Sequence, residues 1–323
     1  MTEASQAGEA RRLAIGLVEA MGFDETQCGH VALVVTEAAS NLARHAQDGE
    51  LLLQAGGDTL EVLALDRGPG MADVARCLQD GFSTTGTAGE GLGAILRLSE
   101  RVDVDSSPAI GTALLARLRR QPADRQEAVE TAVGALSLPR PGEQACGDAW
   151  AVELRPGRAV FLVADGLGHG PDAARAAEEA LPVFHEVAWN GPVQVVRSLH
   201  DALRSTRGAA VAVAEVDAEA EVLRFCGVGN IAGTVVSAGV TRSVISHNGT
   251  AGHEAYRFQE FAYPFLHDAL LVLHSDGLGS RWSLERYPGL ALRDPSLIAG
   301  VLYRDFKRSS DDVTVLVARP AAV

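Results

Sequence analysis

Between residues 31 and 42, apolar side chains recur at Val31, Val34, Val35, Ala38 and Leu42, three or four residues apart. That spacing lines one face of a helix, so a helix is expected over 30–46, preceded by another over 9–20. The period then changes. ELLLQAG (50–56) and LEVLALD (60–66) read as two strands joined by the Gly56-Gly57-Asp58 turn. A Gly/Thr-rich loop, GFSTTGTAGEG, leads into a helix, LGAILRLSE. RVDVDSS and GTALLARL follow as two further strands across a Pro-containing turn. A polar, Pro-bearing stretch then carries no large apolar residue, and 120–127 is read as a linker.

Beyond it most apolar runs are strand-sized: TAVGALSL, AWAVELRPGRAVFLVAD, GAAVAVAEVD, EVLRFCGVGN, GTVVSAG, DALLVLHSD and DVTVLVAR. Helices are expected at 171–189, 192–204 and 295–306. Many strands with a few long helices point to an α+β sandwich rather than a doubly wound sheet. No fixed-period repeat is present. The expected domains are therefore 1–119 and 128–323.

Composition narrows this picture. A chain of 323 residues is long enough for two domains with a core each, and 47% hydrophobic with 5% aromatic content means cores built from Ala, Val and Leu. A net charge of −14 argues against a nucleic-acid or anionic-membrane surface. The opening MTEASQAGEARR is acidic before it is basic, unlike a secretory leader, and no apolar run reaches membrane-spanning length. Cys28, Cys77, Cys146 and Cys226 lack Cys-x-x-Cys spacing and read as reduced thiols, so a cytoplasmic protein is expected.

The first chemical constellation lies in the N-terminal half. Glu37, Asn41 and His45 fall on one helical stripe, offset from the apolar one. Alone this is an ordinary solvated face. DRGPGM (66–71) follows a strand, however, GEGLG (89–93) opens a helix, and Gly111-Thr112 opens another strand. An Asp at a strand end can accept the adenine amino group, and Gly68 and Gly70 let backbone approach the base. Gly89, Gly91 and Gly93 at a helix start can offer N–H groups to a triphosphate. Asn41 suits Mg²⁺, and Glu37 could take a proton from an attacking hydroxyl.

In this order and spacing, EAASNLARHA, DRGPGM, GEGLGAILRLS and GT resemble the boxes of the GHKL ATPase/kinase superfamily. The short form resembles the bacterial anti-sigma and stressosome switch serine kinases of RsbW and RsbT type. The resemblance covers nearly all of 1–119. It implies a Bergerat α/β sandwich with a mixed sheet and ATP with Mg²⁺. Glu37 would be the base, Asn41 would hold Mg²⁺, Asp66 would meet adenine, and Gly89, Gly91, Leu92 and Gly93 would lie in the lid.

The second constellation is a set of Asp residues at strand ends: CGDAW (Asp148), VADGLGHG (Asp165), HSDGLGS (Asp276) and SSDDVTVLVAR (Asp311, Asp312). One Asp-Gly after a strand is a common turn. Four such carboxylates gathered without a cation would repel and raise one another's pKa. With two Mg²⁺ or Mn²⁺ they become a site for in-line attack of water on phosphorus, and a backbone carbonyl freed by Gly166 adds a hard oxygen. GDAW, VADGLGHG, GVGNI, HSDGL and DDVTVLVA resemble the PPM-type serine/threonine phosphatases, in the RsbX-like, SpoIIE branch. That resemblance implies a β-sandwich flanked by helices, with Asp148, Asp165, Gly166, Asp276 and Asp311 around two metals. Asp311 is preferred to Asp312 because the family's ligand is the first residue of its element.

The chain departs from many eukaryotic relatives of that family at Gly147 and Leu167, where they carry Glu and His. His169 is either a displaced acid or a plain loop residue. Arg140 as a phosphate ligand has no support from spacing, and SHNGTAGHE (246–254) is either a flap or a surface turn. The whole chain implies a bifunctional switch protein, a serine/threonine kinase fused to a metal-dependent phosphatase. Its implied substrates are STAS-domain anti-anti-sigma or stressosome proteins. The alternative is a phosphatase whose ATP-binding half only regulates or binds a partner. Neither nucleic acid nor membrane is implied, and no oligomeric state is specified.

Overall fold

Asp24 starts the second helix because its carboxylate accepts the Gln27 amide at 2.8 Å while Gln27 Oε1 accepts the Asp24 amide at 2.9 Å. This capping box satisfies two donors that the first turn leaves orphaned. The computed structural model describes residues 4–77, 91–108, 110–120 and 131–320. The chain divides into two units, Met1–Glu127 and Ala128–Val323. Of the expected linker only Arg120 is among the described residues; the remainder lies outside them.

The first unit runs α1 (Ala4–Ala20), α2 (Glu25–His45), β1 (Glu50–Gly56), β2 (Thr59–Asp66), α3 (Val74–Cys77), α4 (Gly91–Leu98), β3 (Arg101–Ser107) and β4 (Gly111–Arg119). The stripe Val31, Val34, Val35, Ala38 and Leu42 is buried against Leu60, Val62 and Ala64 of β2 and Leu114, Ala116 and Leu118 of β4. The sheet order is β1-β2-β4-β3. A mixed sheet is the expectation, but every pairing among the described residues is antiparallel. For β1–β2 and β3–β4 the reason is local, since both are hairpins whose short turns reverse the chain; β2 and β4 pair antiparallel across a long connection.

The second unit contains β5 (Thr131–Leu138), β6 (Asp148–Arg155), β7 (Arg158–Gly166), α5 (Pro171–Val187), α6 (Pro192–Ala202), β8 (Ala209–Asp217) and β9 (Val222–Val228). It continues with β10 (Ala232–Ser237), β11 (Val240–Ser243), β12 (Phe261–Pro264), β13 (Leu270–His274), α7 (Pro295–Phe306) and β14 (Val313–Pro320). Each of these helices opens with Pro, whose missing N–H costs nothing in a first turn. Two antiparallel sheets, β11-β10-β13-β14-β5 and β12-β9-β8-β7-β6, face each other. β11 and β12 are not among the strands expected from the sequence. β11 is exposed along its length, and β12 is four residues ending in Pro.

Strand β7 explains the unbroken apolar run of its sequence. Ala159, Phe161 and Val163 point into the core between the sheets, while Val160, Leu162 and Ala164 point into a second core under α5 and α6. Both faces are therefore dry, and each fully buried large side chain contributes about 1.5–3 kcal/mol. Among the described residues no helix is long and apolar enough to cross a membrane.

Helix α7 lies so close to β5 that a Cβ on Gly134 would fall 2.0 Å from the Ser296 amide nitrogen. Backbone cannot yield as a flexible side chain does. Gly134→Ala should therefore destabilise the second unit by about 3 kcal/mol, measured as a lowered denaturation midpoint at an unchanged slope.

Candidate functional site

In the first unit, two groups of the expected nucleotide residues are drawn together. Glu37 and Asn41, one turn apart on α2, face the start of α4. A Cβ on Gly91 would lie 2.6 Å from Glu37 Oε2 and 4.0 Å from Asn41 Oδ1. At the end of the sheet, Asp66 pairs in register with Thr112. Asp66 Oδ1 accepts the Gly68 amide at 2.6 Å. Thr112 Oγ1 lies 2.9 Å from Ser106 Oγ, which accepts the Met71 amide at 2.8 Å. Gly70 has φ +69°, and any Cβ there would sit 2.1 Å from the Ser107 carbonyl oxygen. Leu92 packs on the core and Gly93 is buried, so what these two can offer a phosphate is backbone. Gly89 lies outside the described residues. His45 is exposed at the end of α2, and its carbonyl approaches Gly68.

In the second unit, four carboxylates meet at one edge of the sandwich. Asp148 and Asp165 are register partners at the ends of β6 and β7. Asp276 follows β13, Asp311 leads into β14, and these two strands pair. Ser275 links the sheets, with its hydroxyl donating to Asp148 Oδ2 at 2.6 Å and accepting the Thr314 amide at 2.9 Å. Asn230 Nδ2 donates to Asp276 Oδ2 at 2.8 Å. Ser275 and Asn230 escape sequence reasoning. Each sits beside a recognised motif residue, but a Ser or Asn in a turn has many uses.

Asp311 and Asp312 divide their work. The buried Asp312 spends both oxygens on backbone, accepting Arg140 N at 2.8 Å and Gly147 N at 3.0 Å. A Cβ on Gly147 would fall 2.6 Å from Asp312 Oδ2, which accounts for glycine there. Asp311 instead faces Asp276. Arg140 thus acts through its amide and does not line the cleft. Gly166 is equally constrained, since a Cβ would lie 2.1 Å from the Ala173 carbonyl oxygen of α5.

A cleft of about 560 Å³ opens over this edge, lined in part by Asp165, Asp276, Asp311, Asn230 and Asn248. His169 also lines it, with Nδ1 3.2 Å from Glu143 Oε1. Burial first, then Asp148, Asp276 and the Asp311–Asp312 pair, pushes the Asp165 carboxyl well above the usual carboxylate range. Asp148 is raised by burial, partly offset by hydrogen bonds from Ser275 and Thr314. Asp311 is raised by burial and by Asp276.

These carboxylates form no ion pair with a basic side chain among the described residues, and their oxygens form a hard donor set. That suits Mg²⁺ or Mn²⁺. Among the described residues no three His, Cys, Asp or Glu side chains close around one point. Such a set still fits these ions, because Mg²⁺ keeps several waters and takes one or two carboxylates per ion.

The stage II sporulation protein E (SpoIIE) family matches residues 155–321, and the histidine kinase-like ATPase domain family matches residues 2–118. The serine/threonine-protein kinase RsbT of Bacillus subtilis strain 168 is 30% identical over 111 residues, 33% of this chain and 84% of RsbT. The phosphoserine phosphatase RsbX of the same strain is 21% identical over 156 residues, 48% of this chain and 77% of RsbX. A solved structure of RsbX in complex with magnesium shares the fold at TM-score 0.51 and 18% identity, over 60% of this chain and 98% of that one. A solved chain from work on the bacterial stressosome is 32% identical at TM-score 0.55, covering 58% of this chain and 99% of its own.

Carboxyls raised in the folded state bind more protons there than in the unfolded chain. Without metal, stability should therefore fall as pH rises from the ordinary carboxylate range through neutrality. Asp165→Asn should raise the melting temperature in EDTA at pH 8 and abolish the further rise that Mn²⁺ gives the wild type. A melting temperature lowered by that substitution would contradict the repulsion described here.

Proposed function

Because the chain belongs to the SpoIIE family, a PPM-type serine/threonine phosphatase domain behind a kinase-like ATPase domain of RsbT/RsbW type, we propose that it is a bifunctional switch protein. Its substrates in this reading are STAS-domain regulators of the anti-anti-sigma or stressosome kind, in the cytoplasm. One half phosphorylates Ser or Thr from ATP and the other removes the phosphate. Opposed activities on one substrate let nucleotide level or partner binding set the phosphorylated fraction.

One observation carries the phosphatase half: Asp148, Asp165, Asp276 and Asp311 share one sandwich edge with no basic partner among the described residues. Asp148, Asp165, Asp276, Asp311 and the Gly166 carbonyl would hold two divalent cations. Bound there, the pair supplies Lewis acidity and a nucleophilic water near neutral pH. The chain's own share is orientation. Ser275 fixes Asp148, Asn230 fixes Asp276, and the backbone ties of Asp312 hold Asp311 at the cleft mouth.

The kinase half rests on Glu37 and Asn41 facing the first turn of α4. In this reading Asn41 holds Mg²⁺, Asp66 accepts the adenine amino group, and the backbone of Gly68, Gly70 and the 89–93 run approaches the nucleotide. Glu37 then takes the proton of the substrate hydroxyl. RsbT and RsbX are by name a kinase and a phosphatase, which supports pairing the two activities in one chain.

Incubating the full chain with a STAS partner, ATP and Mn²⁺, and reading phosphorylation by mass spectrometry, tests both halves. Asp165→Ala should cut Mn²⁺-dependent dephosphorylation roughly a thousandfold while phosphotransfer persists. Glu37→Ala should abolish phosphotransfer while ATP binding stays. Should Glu37→Ala match the wild type, the first unit is a binding module and only the phosphatase turns over.

A further inference from the structure

The cleft over the carboxylates has an unusual charge composition for an anionic substrate. Asp165, Asp276 and Asp311 line it, yet no Arg or Lys does among the described residues. Bound divalent cations can neutralise the acidic side, but the phosphoryl oxygens turned away from it still need donors. The neutral lining supplies them. Asn230 has already committed its amide to Asp276. Asn248 and Thr250 line the same cleft, and their side chains make no hydrogen bond among the described residues.

Asn248 and Thr250 belong to SHNGTAGHE, and the segment is stapled on both sides of them. Before them, His247 N donates to Gly227 O at 2.9 Å and His247 O accepts Gly229 N at 2.8 Å. After them, Ala251 and Ala209 exchange amide bonds of 2.8 and 3.0 Å. Gly252 N donates to His200 Nδ1 of α6 at 3.1 Å, and His253 Nε2 donates to Thr206 O at 3.0 Å. Gly249 itself has φ +144°, with its would-be Cβ 2.3 Å from Glu254 O. A surface turn needs no such set of ties. Backbone held this way leaves only the two donor side chains for a ligand to order, which lowers the cost of binding a charged group.

We propose that segment 246–254 is the phosphate-positioning wall of the phosphatase cleft, with Asn248 and Thr250 donating to the substrate's phosphoryl oxygens and His200 positioning the segment through Gly252. The inference rests on the phosphatase reading above and extends it to a specific substrate contact that is neutral rather than cationic.

The test uses the full chain loaded with Mn²⁺ and p-nitrophenyl phosphate, which requires no protein substrate. Asn248→Ala and Thr250→Val should each raise KM about tenfold with kcat within about twofold. Inorganic phosphate should bind more weakly by a similar factor in calorimetry, and the Mn²⁺ midpoint should not move. Unchanged KM and phosphate affinity would overturn the proposal, as would a Mn²⁺ midpoint that shifts in step with KM. His200→Leu should reproduce the KM rise, whereas His200→Asn keeps an acceptor near Nδ1 and should behave as wild type. Identical behaviour of these two variants would remove the positioning role of His200. Phosphate binding is read without turnover, so a wild-type chain inactive on the ester would sink the phosphatase reading and leave the calorimetric arm decisive.

Discussion

Buried negative charge held against its own repulsion is the constraint on which the second unit depends. Asp148 is buried beside the half-buried Asp165, and Asp165 also feels Asp276, Asp311 and Asp312. Folding alone would not favour such a cluster, since each ionised carboxyl loses hydration and gains like-charged neighbours. What keeps it assembled is the sandwich. Phe161, Phe225, Leu271 and Leu316 close the space between the sheets and fix the strand ends that carry the carboxylates. The Ser275 bridge and the backbone amides on Asp312 then set the individual side chains. The hydrophobic effect thus holds in place a charge distribution that favours binding of divalent cations.

The first unit sets the opposite electrostatic task with similar glycine mechanics. In the proposed reading the backbone of Gly91–Gly93 at the start of α4 would offer N–H groups to an anion, whereas the DGLG runs of the second unit would bring carboxylates to a cation. Glycine in each case removes a Cβ that would crowd a neighbour: the Glu37 carboxylate at Gly91 in one unit, the Ala173 carbonyl at Gly166 in the other. The neighbouring side chains decide the sign of the ligand. Where Glu37 and Asn41 line up on a helix, nucleotide chemistry is favoured; where Asp165 ends a buried strand beside Asp148, metal-assisted hydrolysis is favoured.

Much of this was legible beforehand because periodicity records burial directly. The α2 stripe, the two hairpins of the first unit and α7 over 295–306 follow from spacing alone, and the run AVFLVA announces a strand buried on both faces. The antiparallel ladders of the first sheet were less legible, since pairing direction depends on how connections return. The exposed strand β11 has no apolar face to reveal it.

Motif order, strand-end carboxylates and glycine placement were thus determined by the sequence itself, because local sterics and apolar period act within a few residues. Tertiary structure alone decided which polar neighbours serve those motifs. Ser275 reaches Asp148 across 127 positions, Asp312 binds the Gly147 amide across 165, and His200 meets Gly252 across 52. A hydrogen bond requires only proximity and direction in space. Its partner leaves no periodic trace in the chain, so such contacts emerge only once the sheets have closed.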